Sequence, residues 1–236
     1  MKNINSRKGI TLIELLACVA IIAILAALLL PAISKVRLKA DEAAFVSNLR
    51  SVSVAVLLLT AENNNTIPAY IDARAGAQTM WQLRVAPYLG EDPSAPQFNS
   101  PASIYRSALR DPGDKTLWRG QRPTRNIGIN GYANFTTVAP SGATNRPLLG
   151  IKHPSKLALL GPGVEAAVNT EWGGGASIFV PILQSQGLKP YSRYGQFMHF
   201  AFVDGHIEKL TWDRVNQELQ LANRSQSMLF DTAGYF

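Results

Sequence analysis

Residues 10–34 read ITLIELLACVAIIAILAALLLPAIS and follow the short opening MKNINSRKG. The stretch has 25 residues and one charge, Glu14. At about 1.5 Å per residue, a helix over Ile10–Leu30 is roughly 31 Å long, the depth of a bilayer hydrocarbon core of about 30 Å. Lys2, Arg7 and Lys8 precede it, and basic flanks stay on the cytoplasmic side. The segment is therefore a signal peptide or a membrane anchor.

Length and Glu14 separate the two. The apolar part of a secretory signal is usually about 7–15 residues, shorter than this run. A carboxylate at the centre of a membrane helix costs on the order of 2.5–3.5 kcal/mol, less near the interface. A retained acid there points to a cationic partner, and the helix supplies none after Ile10 within a turn or two. The competing reading is cleavage by signal peptidase I after Ala32-Ile33-Ser34, which would release a soluble chain beginning at Lys35.

Arg7-Lys8-Gly9-Ile10-Thr11-Leu12-Ile13-Glu14 resembles the processing site of type IV prepilins and type II secretion pseudopilins. In that family a short basic leader ends in glycine, and prepilin peptidase cuts after it and N-methylates the new first residue. The fifth mature residue is glutamate. The resemblance makes residues 1–9 the leader, Gly9 its last residue, Ile10 the methylated N-terminus (where the family more often has phenylalanine) and Glu14 the assembly residue. Pro31 falls at the family's proline of mature position 22. It also implies partners: prepilin peptidase, other pilin or pseudopilin subunits, an inner-membrane assembly platform and membrane lipid. Localisation follows as a single-pass inner-membrane protein with a periplasmic C-terminal domain, or a cell-surface filament. Cleavage would create an α-amino group at Ile10, cationic if its pKa stays near 8. Glu14 of the same subunit, or of a staggered neighbour, can pair with it, more strongly in lipid than in water.

After Pro31 the pattern turns amphipathic. Phe45, Leu49, Val52, Val56 and Leu59 recur at helical spacing, with Lys35, Lys39, Asp41, Glu42 and Arg50 expected off that stripe. Asn63-Asn64-Asn65 and Pro68 end it. A helix from Ile10 to about Glu62 would span roughly 80 Å. Residues 10–30 are its transmembrane part and 31–65 its amphipathic continuation. Pro31 removes one backbone hydrogen bond, giving either a hinge used in extraction from the membrane or a kink tolerated in lipid.

Composition narrows the function class. The chain has 236 residues, 47% hydrophobic and 17% charged, too apolar for disorder. The formal charge is +7. Without Lys2, Arg7 and Lys8, 20 basic residues face 16 acidic ones, a balance of +4. The remaining basic residues are scattered, so no nucleic-acid partner is expected. One cysteine, Cys18, excludes an intramolecular disulfide and any Cys-cluster metal site.

Residues 66–236 hold 13 of the 14 prolines and 17 of the 18 glycines, a composition of short strands and loops. Trp81–Leu89 reads as a short helix running into a turn at Pro87. Residues 94–125 read as loop, 126–135 as extended and polar-alternating, and 157–160 and 178–183 as strands. Phe197–Val203 and His206–Thr211 flank Asp204-Gly205 and predict an antiparallel hairpin, with both turn residues at positive φ as a type I′ turn requires. A short amphipathic helix over 213–221 follows. The fold class is α+β, a long N-terminal helix packed on a C-terminal antiparallel sheet.

No catalytic constellation emerges, and no cofactor or metal is expected. The chain has no G-x-S-x-G elbow, and Gly173-Gly174-Gly175 has no Lys-Ser/Thr after it. Asp204 and His206 read as turn residues, and His199 and His206 as surface histidines. Asp92, Asp111 and Asp114 are the clustered candidates for calcium. A second resemblance, to prepilin-like proteins with a C-terminal histidine, nine residues and Asp-Gly, rests on Trp81–Leu89, Arg110–Asp114, Ile127–Asn130, Arg193–Gly195 and Phe200–Ile207. Tyr194 stands where that family has histidine, and Asp111 where it has cysteine. Three functions remain: a pilin or pseudopilin subunit of a filament, a membrane-tethered binding domain that never polymerises, and a secreted soluble protein.

Overall fold

The computed structural model describes residues 12–68, 71–72, 79–92, 108–109, 112, 127–130, 137–138, 147–162, 178–179, 194–195 and 197–222. The chain divides into two compact units, Met1–Ala40 and Asp41–Phe236. Helix α1, Leu12–Glu62, runs through both. Alanine, leucine and isoleucine dominate its first half and no glycine interrupts it, so propensity and pattern agree. The helix continues through Pro31 without a break. Pro31 leaves the Ala27 carbonyl without its i+4 donor, and Ser34 Oγ donates to the Leu30 carbonyl at 3.3 Å.

At the far end the Asn63 N–H is shared between the Leu59 and Thr60 carbonyls. Asn64 and Asn65 then turn left-handed, with φ of 53° and 54°, which asparagine tolerates better than most residues. The Tyr88 hydroxyl donates to the Glu62 carboxylate. That hydrogen bond is the main cause that raises the Tyr88 phenol above its ordinary pKa.

In the second unit α1 buries Phe45, Leu49, Val52, Val56 and Leu59, the five residues of the apolar stripe. Each such side chain, fully buried, contributes about 1.5–3 kcal/mol. Glu42 corrects the expectation: it is 8% exposed, because position 42 precedes Phe45 by three residues and lies on the same helical face.

The main sheet has five strands: β3 (Ile127–Asn130), β5 (Ala158–Pro162), β6 (Ile178–Phe179), β7 (Phe197–Phe202) and β8 (Ile207–Thr211), in the order β6-β3-β5-β7-β8. Four strands pair antiparallel. The two-residue edge strand β6 lies parallel to β3, a departure from an all-antiparallel sheet that the long connection between them permits. A small sheet joins β1 (Ile71–Asp72), β2 (Thr79–Met80) and β4 (Thr137–Val138) in the order β2-β1-β4. Helix α2 (Trp81–Val85) runs directly into a 3-10 turn at Ala86–Leu89. The polar-alternating stretch is extended here as expected, and all four residues of β3 are buried.

Strand alternation sorts β7 between two cores. Ala201 and the following Val203 join Phe45, Leu49, Trp81, Ile127 and Leu160 on the α1 side. Met198, Phe200 and Phe202 join Leu210 and Val215 on the other, where helix α3 (Trp212–Ala222) supplies Val215. One face of the sheet is thus covered by α1 and the other by α3.

The hairpin forms where expected, with Phe200 opposite Glu208 and Ala201 opposite Ile207. Its turn differs. Among the described residues of the turn only Gly205 has positive φ, 89°. The Gly205 N–H donates to the Phe202 carbonyl at 2.9 Å, and the Phe202 N–H to the His206 carbonyl at 2.9 Å. This is a three-residue connection closed by a glycine bulge. The reason lies in Val203, whose N–H bonds the Leu157 carbonyl and leaves the hairpin ladder. Gly205→Ala is expected to cost about 1–2 kcal/mol from backbone strain, since an added Cβ would meet only Leu57 Cδ1 at 3.7 Å. Chemical denaturation of the full chain in detergent micelles measures it, and an unchanged midpoint would remove the strain argument.

Candidate functional site

The amino-terminal half of α1 is the first candidate. From Leu12 to Ala40 every residue is exposed, among them Leu12, Leu16, Ile22, Leu28 and Leu30. Soluble proteins rarely expose contiguous apolar surface on this scale. By length and composition this is a helix able to cross a membrane, with none of its apolar window buried. Glu14 lies in the first turn of α1. Its carboxylate is the one acid between Leu12 and Ala40. Gly9 and Ile10 lie outside the described residues. Cys18 is a free, exposed thiol within the span.

A second cluster lies where α1 enters the second unit. Lys209 Nζ donates to Glu42 Oε1 at 2.7 Å, and His199 Nε2 stands 3.4 Å from the same oxygen. β7 and β8 set His199 directly opposite Lys209, so both point at one turn of the helix. The Tyr194 hydroxyl donates to the Asp41 carbonyl at 3.2 Å. Tyr194, His199 and Phe45 form an aromatic triangle with centroids 5.9–6.4 Å apart. Lys209 Nζ also lies 4.4 Å from the Phe197 ring centroid, within cation–π range. His199, expected at the surface, is 6% exposed because odd positions of β7 face α1. A charged residue three positions ahead of Phe45 was the signal in the sequence that could have found this cluster.

Asp204 and His206 are brought together by the turn. The Asp204 carboxylate accepts the His206 backbone N–H at 3.1 Å and lies 2.5 Å from the ring Nδ1. The ring stacks on Phe202 at 4.3 Å. Both groups serve the hairpin end. Among the described residues no group of three or more His, Cys, Asp or Glu could hold a metal ion. Asp92 is exposed, while Asp111, Asp114 and Gly173–Gly175 lie outside the described residues. On the α3 face Ser155, Lys156, Phe202, Glu208, Leu210, Arg214 and Glu218 line an open groove, and Arg214 pairs with the buried Glu218 one turn along α3.

Residues 4–30 match the prokaryotic N-terminal methylation motif. The chain carries a prepilin-type N-terminus, and the match spans Gly9, Ile10 and Glu14 and ends before Pro31. No curated protein matches the chain, and no solved structure does. The long helix and the largely antiparallel sheet form an α+β architecture consistent with a pilin fold.

Proposed function

We propose that this chain is a pilin or pseudopilin subunit, a structural building block rather than an enzyme. Prepilin peptidase removes residues 1–9 after Gly9 and N-methylates Ile10. Residues 10–30 hold the precursor in the inner membrane, residues 31–65 continue the helix, and residues 66–236 form the periplasmic domain. An assembly platform then feeds the subunit into a type II secretion or type IV pilus-like filament, where Glu14 meets the freed amine of a neighbour. Pro31 gives the helix a soft point during extraction. The observation that carries the reading is the coincidence of the methylation motif with the fully exposed apolar half of α1.

Cleavage has a physical purpose in this scheme. Moving the helix out of the bilayer with its leader attached would draw Lys2, Arg7 and Lys8 across hydrocarbon, at about 2.5–3.5 kcal/mol each on insertion scales. Removal of the leader leaves one amine, which Glu14 can neutralise. Mass spectrometry of the chain from membranes of cells with and without prepilin peptidase tests this. The expected mature terminus is N-methyl-Ile10, absent without the peptidase. A chain that begins at Met1 in both cells, or at Lys35, overturns the proposal.

A further inference from the structure

The far end of the apolar helix carries a feature that filament assembly through Glu14 leaves unused. Between Glu14 and Asp41 there is no acidic residue, yet Lys35, Arg37 and Lys39 fall within five positions. All three are exposed. At 3.6 residues per turn Lys35 and Lys39 share one side, and Arg37 points about 160° away, so cations face more than one direction around the helix. Ile33, Val36 and Leu38 are interleaved with them and are also exposed. Alternating apolar and basic side chains on one turn suit a layer that is greasy on one side and anionic on the other.

Depth agrees with that layer. Leu30 ends a span of roughly 31 Å. Lys35 and Arg37 follow at about 7.5 Å and 10.5 Å along the axis, and Lys39 at about 13.5 Å. The polar layer on each side of the hydrocarbon is about 5–7 Å thick, and lysine and arginine stems reach back several ångströms towards it. The three cations therefore stand at the level of lipid phosphates or just above it, with apolar residues below.

We propose that Lys35, Arg37 and Lys39 form a basic collar that binds the headgroups of anionic phospholipids and fixes the depth of the helix in the bilayer. The partner is the phosphate surface of the membrane itself. This rests on the reading of residues 10–30 as a membrane span. The collar opposes outward movement of the subunit, so its lipid contacts must break when the helix leaves the membrane. The basic leader lies at the opposite end of the helix, and its loss leaves the collar as the remaining cluster of cations beside the span.

The test uses the full chain with its leader cations neutralised (K2Q/R7Q/K8Q), reconstituted into phosphatidylcholine vesicles with and without phosphatidylglycerol. Spin-labelled lipids of each headgroup report the fraction held at the protein surface. The expected result is a preference for phosphatidylglycerol of about fivefold or more at low salt, given the strength of basic residues near an anionic surface, weakening at high salt. K35Q/R37Q/K39Q removes the preference, and the charge-conserving K35R/R37K/K39R retains it. A chain that inserts and immobilises both lipids equally overturns the collar while leaving the anchor reading intact. A chain that immobilises neither lipid overturns both.

Discussion

Glu14→Ala is expected to leave the chain inserted in the membrane and cut after Gly9, yet to lower its incorporation into filaments by about a hundredfold or more. Alanine removes the one acid from an otherwise uncharged span, so insertion becomes easier rather than harder. On the proposed function, what is lost is the partner of the Ile10 amine. At about 4 Å and an effective dielectric of about 20, such a pair is worth about 4 kcal/mol. Desolvation of the two groups offsets part of that attraction, and a net loss of about 3 kcal/mol per contact is roughly a 150-fold change in an association constant. Each subunit added to a growing filament repeats that loss, so a defect at one contact becomes near absence of polymer. Glu14→Gln should fail almost as badly, because an amide keeps the shape and loses the charge. The ratio of sheared filament to membrane-bound subunit, measured by immunoblot beside mass spectrometry of the N-terminus, reads both effects. Wild-type filament yield from Glu14→Ala would remove the electrostatic account of assembly.

How much of this was legible depends on which period carried the signal. The 3.6-residue spacing of Phe45, Leu49, Val52, Val56 and Leu59 gave the buried face of α1 without any structure. Asn63 to Asn65 gave its end, because asparagine can enter the left-handed region that closes a helix. Asp204-Gly205 located the hairpin but not its turn type, which was decided by the bond from Val203 to Leu157, a contact distant in sequence. His199 was illegible for another reason. β7 reads FMHFAF, apolar at both parities, so alternation could not say which face carried the histidine. Only the covering of both sheet faces, by α1 and by α3, shows that either face would bury it. Glu42 lay in plain view on the apolar stripe, and its charge concealed that it belonged there. The methylation motif of residues 4–30 was legible because a basic leader, a glycine and a long apolar run with one acid stand together in the sequence.

Phe45→Ala is expected to destabilise the second unit by about 3–5 kcal/mol, the usual range for a large buried aromatic. Phe45 is 1% exposed and is the first apolar residue of the buried stripe. Its ring lies tilted against Tyr194 with centroids 5.9 Å apart and meets His199 edge-on at 6.2 Å. Those two rings flank the helical turn that carries Glu42. Without the phenyl group, water gains access beside the Glu42 carboxylate, and the pair with Lys209 becomes a solvated one of small worth. The damage should therefore be local before it is global. Amides of residues 42–49 should exchange faster, while those of residues 52–60, still packed on the core, keep most of their protection. Phe45→Leu keeps an apolar side chain in the site and should cost less than alanine. Val54→Ala, on the same helix but 52% exposed, should stay within about 0.5 kcal/mol of wild type. Denaturation of the full chain in micelles, with hydrogen exchange on the same sample, separates these outcomes. If alanine at position 45 costs no more than alanine at position 54, the aromatic triangle does not hold this turn of α1 to the sheet.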